Sequence, residues 1–294
     1  MPNNSLTPQS KQPKFSVAIQ TDAYKQLINN TLQDPKRVAR FVASISSAVA
    51  VNPTLQECDA GTILSGALLG EALNLSPSPQ LGQYSLVPYN DTKRGMKVAQ
   101  FQVGYKGYIQ LAIRTGQYRD LDAIEVRQGE YKGRDTSTGK PTFEFFNDDD
   151  VRDGLPVVGY LAYFELLNGY KKSVYFSEKK MLAHADRYSK AFNRDIFEKI
   201  VEGKIPASEM WKYSSPWYDG FEGMALKTVI RQLISKWGIM SIEMQDAIEK
   251  DMGVIGADGK VQFVDNEPPA LSAPQTAPAA EALPGASEGD PFAD

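Results

Sequence analysis

Between Gln102 and Gly116 the chain reads QVGYKGYIQLAIRTG, a combination of residue types suited to gripping a flexible polyanion that carries unpaired rings. Written on a helix, Lys106, Gln110 and Arg114 fall four apart and form one polar face, while Ile109, Ala112 and Ile113 turn towards a core. Gly104 and Gly107 permit close backbone approach at the helix start, where free N–H groups favour phosphate. Tyr105 and Tyr108 supply rings on which bases can stack, worth roughly 1–3 kcal/mol per base at sites of this kind. The same tyrosines also fit core packing and the same glycines a turn, so this segment alone leaves both readings open.

Other stretches repeat the combination. Gly220, Gly223, Lys227 and Arg231 follow at spacings of three and four, which puts two cations and two bare backbone positions on one helix face, opposite an apolar stripe of Phe221, Ala225, Val229 and Leu233. Lys180, His184, Arg187, Lys190 and Arg194 outline a third face, with Tyr188 beside it. Lys212 lies between Trp211 and Tyr213, and Arg127 closes a predicted strand. Each of these also reads as an ordinary solvated face.

Bond-making chemistry has less to draw on. One histidine, His184, and one cysteine, Cys58, exclude a disulfide framework, a Cys/His zinc site and a plausible nucleophile–histidine triad. Asp120 and Asp122 alternate on one side of a predicted strand with Glu125 and Glu130 nearby, the best cluster for a metal-dependent nuclease. No phosphate-cradling glycine loop, matching lysine motif or second acidic block accompanies it. No catalytic residue, metal or cofactor is assigned, and the nuclease stands as an alternative beside a general RNA-binding oligomer.

The overall charge of −4 argues against a polyanion partner until its distribution is considered. Residues 265–294 hold six acids and no base, so −4 overall with −6 in the tail leaves +2 for the first 264 residues. Thr92–Arg134 carries nine Lys or Arg against four acids, and Leu166–Lys236 thirteen against eight, a net of +5 each. Folded onto one surface, the two regions would attract a polyanion despite the acidic total.

These residues need a scaffold, and 42% hydrophobic content is enough for a core. Residues 1–13 are expected to be flexible, 14–264 to form the folded domain, and the Pro/Ala/acid-rich 265–294 to be a disordered tail. Helical periodicity covers 36–51, and Asn52-Pro53 predicts a second helix over 54–75 whose Gly61, Gly66 and Gly70 permit close packing of a neighbour in the fold or of another subunit. Strands are predicted at 83–89, 96–103, 119–127, 129–133 and 142–146. Asn168-Gly169 marks a hairpin joining 157–166 to 170–176. Ser177 starts another helix, and Ser215-Pro216 a long one ending at Gly238. The sum is an α+β fold with a curved antiparallel sheet flanked by helices. No run is long and apolar enough to span a membrane, and a reducing cytosol is the expected setting.

The string QVGYKGYIQLAIRTG resembles the central motif of the RecT family of phage single-strand DNA annealing proteins. Pro88-Tyr89, Gly159–Phe164, and Trp217 with Met224–Arg231 are similar to its later blocks, in the same order, so the likeness spans roughly residues 15–245. The resemblance implies ATP-independent annealing in homologous recombination without enzymatic activity and a core related to the eukaryotic annealing proteins. It implies partners in single-stranded DNA, the annealed duplex intermediate and further copies of the chain in a ring or helical filament. A phage exonuclease and a host single-strand binding protein in the bacterial cytosol are further implied partners. It supplies no contact list. On physical grounds the expected DNA contacts are Tyr105, Lys106, Tyr108, Gln110, Arg114, Arg127, Arg187, Tyr188, Lys190, Lys212, Lys227 and Arg231. The tip Gly289–Asp294 resembles the acidic D-P-F ending of bacterial single-strand binding proteins, with two residues added after the Phe.

Overall fold

The computed structural model describes residues 13–91, 94–213, 215–256 and 258–263; most of the expected flexible N-terminus and all of the acidic tail lie outside them. Three helices come first, α1 (Phe15–Ala18), α2 (Asp22–Leu32) and α3 (Pro35–Val51). A 3-10 turn (Pro53–Glu57) then leads to α4 (Ala60–Ala72). Strands β1 (Tyr84–Asp91) and β2 (Met96–Val103) precede α5 (Tyr105–Arg114). Next come β3 (Tyr118–Arg127), the short β4 (Tyr131–Arg134) and β5 (Pro141–Phe143), and α6 (Asp149–Asp153). The hairpin β6 (Val157–Leu166) and β7 (Lys171–Ser177) is followed by α7 (Glu178–Tyr188), α8 (Arg194–Val201) and a second 3-10 turn (Ala207–Lys212). Then α9 (Pro216–Asp219), α10 (Phe221–Trp237), α11 (Ile242–Lys250), β8 (Gly253–Ile255) and β9 (Val261–Gln262) complete the described chain.

The class is α+β with antiparallel pairing, as the sequence pattern predicts, but the strands divide. One sheet has the order β1-β2-β8-β9, a second β3-β6-β7, and β4-β5 forms a separate ribbon. Helix α5 lies between β2 and β3 in the chain, at the point where the strands pass from the first sheet to the second. At the second sheet's hairpin, Gly169 takes φ +84° and the Asn168 side chain accepts from Tyr170 N–H. The turn thus fixes the β6–β7 register in which Phe164 faces Lys172.

The predicted helix over 54–75 is in fact a 3-10 turn and a helix. Cys58 N–H closes the 3-10 turn on the Leu55 carbonyl and its S–H donates across to the Val98 carbonyl, while the Asp59 carboxylate caps α4 through Thr62 N–H. The small residues of α4 accept β1: a Cβ at Gly66 would lie 2.8 Å from Leu86 and one at Gly70 2.4 Å from the Tyr84 ring. The close neighbour is therefore within the fold. The predicted long helix from Ser215 likewise breaks at Gly220 (φ −151°, ψ 53°), so Gly220 does not extend the face of α10.

Helix α10 runs through the centre of the molecule. Val229, Ile230, Leu233 and Ile234 are fully buried against α5 and the inner face of β3-β6-β7, each contributing about 1.5–3 kcal/mol relative to exposure. The β4-β5 ribbon closes the sheet's outer face, where Tyr131 stacks on Tyr175 at 4.7 Å and Phe143 meets the same ring edge-on.

Candidate nucleic-acid interface

A long trough crosses one side of the molecule. One end, about 760 Å³, has Pro88, Tyr89 and Asn90 of β1 and Gln100 and Gln102 of β2 on one wall and Lys212, Pro216 and Trp217 on the other. The second end, about 640 Å³, lies between α7 and α10 and is lined by His184, Tyr188, Thr228, Arg231 and Phe263. Ser189, Trp217, Met224 and Met252 line both, so the two ends are continuous.

The floor is built by backbone and carboxylate chemistry. Met252 occupies the left-handed region at φ +64°, its N–H donating to Phe101 and its carbonyl accepting from the Gln100 side chain. A non-glycine residue held there is costly and needs surrounding structure to fix it. Beside it, Asp251 is almost fully buried. Its Oδ1 accepts from Val103 N–H at 2.9 Å and Lys227 Nζ at 2.8 Å, and its Oδ2 accepts from the Tyr108 hydroxyl at 2.9 Å. One carboxylate thus ties the end of β2 to α5 and α10, with every group in the network partnered.

That network corrects two expected contacts. Tyr108 is fully buried, and its hydroxyl is pushed far above the usual range by desolvation and then by Asp251, so its ring offers no face to a base. Lys227, 4% exposed, neutralises Asp251 instead of facing solvent; burial pushes its ammonium down, against the opposing pull of that carboxylate. The expected phosphate seat at the start of α5 is also filled by the protein itself. A Cβ at Gly104 or Gly107 would lie 2.1 Å from the carbonyl oxygen of Gly82 or Gln83, so both glycines admit their own chain.

Arg114, though outwardly placed, is held at the end of α4: its guanidinium donates to the carbonyls of Leu73 and Asn74, capping that helix. Arg127 pairs with Glu125 at 2.6 Å and donates to the Leu155 carbonyl. Tyr105 and Gln110 are half-buried, with burial and then Glu222 and Asp122 pushing the Tyr105 hydroxyl up. Lys106 is exposed beside Tyr105, its Nζ 5.9 Å from that ring, and lines neither end of the trough.

What the fold does bring together comes from the second basic region. On α7 and the residue that leads into it, Phe176, Lys180, His184 and Tyr188 recur every fourth position as a stripe. Lys180 Nζ lies 3.7 Å from the Phe176 centroid, the His184 and Tyr188 rings are 4.6 Å apart, and Arg187 packs 5.4 Å from Tyr188. Tyr188 is 59% exposed on the rim, so part of its ring stays open to a base beside His184 and Arg187. Across the trough the Arg231 side chain is 40% exposed and spends one amine on the Ile248 carbonyl. Its Nε is buried without a hydrogen-bond acceptor, 3.6 Å from Asp251 Oδ2 in a long ion pair, so any donor it offers a ligand comes from the exposed part of the guanidinium. Burial first, then Lys180 and Arg231, push His184 below the usual histidine range. Lys212 lines the other end while pairing with Glu209 at 2.8 Å, and Lys190 is exposed just past α7, which ends at Tyr188 before Arg194 can join its face.

Sequence reading missed Gln100, Gln102, Asp251, Met252 and Phe263. A period-2 signal existed for the first two, because glutamine alternates with apolar residues in MKVAQFQV. The others become visible only when α11 and β8 are placed. Two of the four carboxylates of the nuclease alternative are spent: Glu130 is fully buried against Arg152 at 2.7 Å, and Glu125 pairs with Arg127. Among the described residues no cluster of three or more histidine, cysteine or carboxylate groups is placed to hold a metal. None of the described helices is long and apolar enough to cross a membrane.

An open trough with cations and an exposed ring on its rim suits an extended, phosphate-bearing ligand better than a small enclosed one. The comparison with known proteins gives the family. The RecT family model matches residues 39–269, and the chain belongs to the RecT family. It is 34% identical over 263 residues to the uncharacterized protein YqaK of Bacillus subtilis (strain 168), covering 87% of this chain and 79% of that one. It is 27% identical over 220 residues to Protein RecT of Escherichia coli (strain K12), covering 72% and 70% respectively. Membership carries the family's role, phage-type single-strand annealing in recombination. Pro88-Tyr89, Trp217, Met224 and Arg231, which carry the resemblance along the sequence, all line the trough.

Proposed function

We propose that this chain binds single-stranded DNA along the trough between β1-β2, α7 and α10, and anneals it to a complementary strand without hydrolysing a nucleotide. The observation that carries this reading is the continuity of the trough, which unites Tyr89, Lys212, His184, Tyr188 and Arg231 from separate stretches of chain. Arg231 and Arg187 neutralise phosphates, Tyr188 stacks a base, and the open side leaves the pairing edges free for the second strand. Pairing releases about 1.4 kcal/mol per step in duplex DNA, enough to drive annealing with no bond-making residue. Copies of the chain side by side extend the trough into a ring or filament. In the bacterial cytosol its partners are the strand left by an exonuclease and the host single-strand binding protein that coats it.

Anisotropy titrations of a labelled single strand at several salt concentrations test the contacts. Arg231→Ala should reduce the slope of log affinity against log salt by roughly 0.7, the loss of one single-strand phosphate contact. Tyr188→Ala should cost about 1–3 kcal/mol with little change in slope. Wild-type slope and affinity in both variants would remove the trough as the binding surface.

A further inference from the structure

A second basic pocket lies away from the trough. It holds about 430 Å³ between the tip of the β4-β5 ribbon and the start of edge strand β7, with Trp237 at the end of α10 forming one wall. Trp237 is six residues beyond Arg231 on the same helix, so it is about 9 Å further along the axis and about 120° round it. The two residues thus serve different flanks of α10.

The chemistry of this pocket favours a nucleotide. Lys172 Nζ and Lys236 Nζ sit 4.7 and 4.8 Å from the centroid of the Trp237 ring, held there by cation–π attraction while keeping their own hydrogen-bond donors. Across the pocket stand Arg134 and Lys140 of the ribbon. Among the described residues Lys140, Lys172 and Lys236 make no ion pair, whereas Lys171 is taken up by Glu165, which Arg119 also neutralises. Asp120, at the same pocket, has no cation partner among the described residues and can accept from the exocyclic amine of a base. An indole, two lining ammonium groups without an ion pair (Lys140 and Lys172), a third at the Trp237 ring (Lys236) and one carboxylate acceptor match the ring, phosphates and amine of a single-stranded nucleotide unit.

We infer that the pocket bounded by Trp237, Lys172, Lys140 and Asp120 is a second single-stranded DNA contact, which holds an incoming strand while the trough holds the first. The inference rests on the proposed function only in taking the trough as the first strand's seat. One chain then carries both strands before they pair, which raises the effective concentration of one at the other.

The test uses the full chain and two non-complementary strands, donor-labelled oligo-dT added first and acceptor-labelled oligo-dC second. The wild-type protein should give energy transfer from a ternary complex. Lys140→Ala/Lys172→Ala, the first exposed and the second half-buried and neither lining the trough, should bind the first strand as wild type does and weaken capture of the second by roughly tenfold. In the wild-type ternary complex, Lys140 and Lys172 should be protected from acylation by the second strand and not by inorganic phosphate. A ternary complex unchanged in the double variant, no ternary complex in the wild type, or equal protection by phosphate would overturn the inference. Failure of the trough is read separately, from first-strand binding by Arg231→Ala.

Discussion

Asp251 and His184 show how single groups set the behaviour of this protein. Asp251 is the common acceptor for Lys227, Tyr108 and the Val103 amide, all buried. Asp251→Ala leaves an ammonium without its counter-charge inside the protein, which should cost about 3–5 kcal/mol in urea unfolding, whereas Lys227→Met/Asp251→Leu together should recover much of that loss. A single variant as stable as wild type would show that the network bears no weight. His184 is shifted below its ordinary value of 6.5 by burial and by Lys180 and Arg231, so it is neutral in the free protein at pH 7. Phosphate in the trough offsets those cations and draws a proton onto the ring. Affinity for a single strand should therefore rise as pH falls below 6.5, and His184→Gln should flatten the rise in anisotropy titrations. Folding of the free protein has the opposite sign. The unfolded histidine takes its proton first, so this group's stability is present above 6.5 and is lost as pH falls towards the lower folded value.

Among the elements, α4 and its neighbours show where sequence patterns end. The glycines of α4 signal a close approach without saying whose; the structure gives them to β1, with Tyr84 over Gly70 and Leu86 over Gly66. Gly70→Ala must displace the buried Tyr84 ring, which itself packs on Phe101 at 5.1 Å, and should destabilise the protein by about 1–3 kcal/mol. An unchanged urea midpoint would mean that the strand yields without cost. The Asn168-Gly169 hairpin was legible because a two-residue turn states its own geometry. The breaks after Glu57 and at Gly220 were not, because Cys58 leaves helical register for a bridge to Lys97 and Gly220 leaves it only where α9 ends. Strands β8 and β9, three and two residues long, are too short to carry a period and exist only by pairing with β2 and with each other.

For the whole molecule, the distribution of charge outweighs its sum. The tail 265–294 holds six of the acids, and without it the chain carries +2. Deleting it should raise single-strand affinity a few-fold at low salt, an effect that fades as the ionic strength shortens electrostatic range to about 10 Å or less. Equal affinities at low salt would make the tail electrostatically silent. The sequence by itself determined the class, α+β with antiparallel pairing, because turn chemistry and hydrophobic period are local properties of the chain. It also determined the family, through motifs in a fixed order, and the presence of two basic regions. Only the tertiary structure decided which cations remain available. Periodicity assigns Lys227 and Arg231 to one face of α10, yet Asp251 buries the first in a 2.8 Å ion pair and holds the second only at 3.6 Å with its side chain 40% exposed, and Gly104 and Gly107 meet residues 82 and 83 before any phosphate can. Burial depends on what packs across a face, and that partner lies more than a hundred residues away in the case of Tyr108 and Asp251.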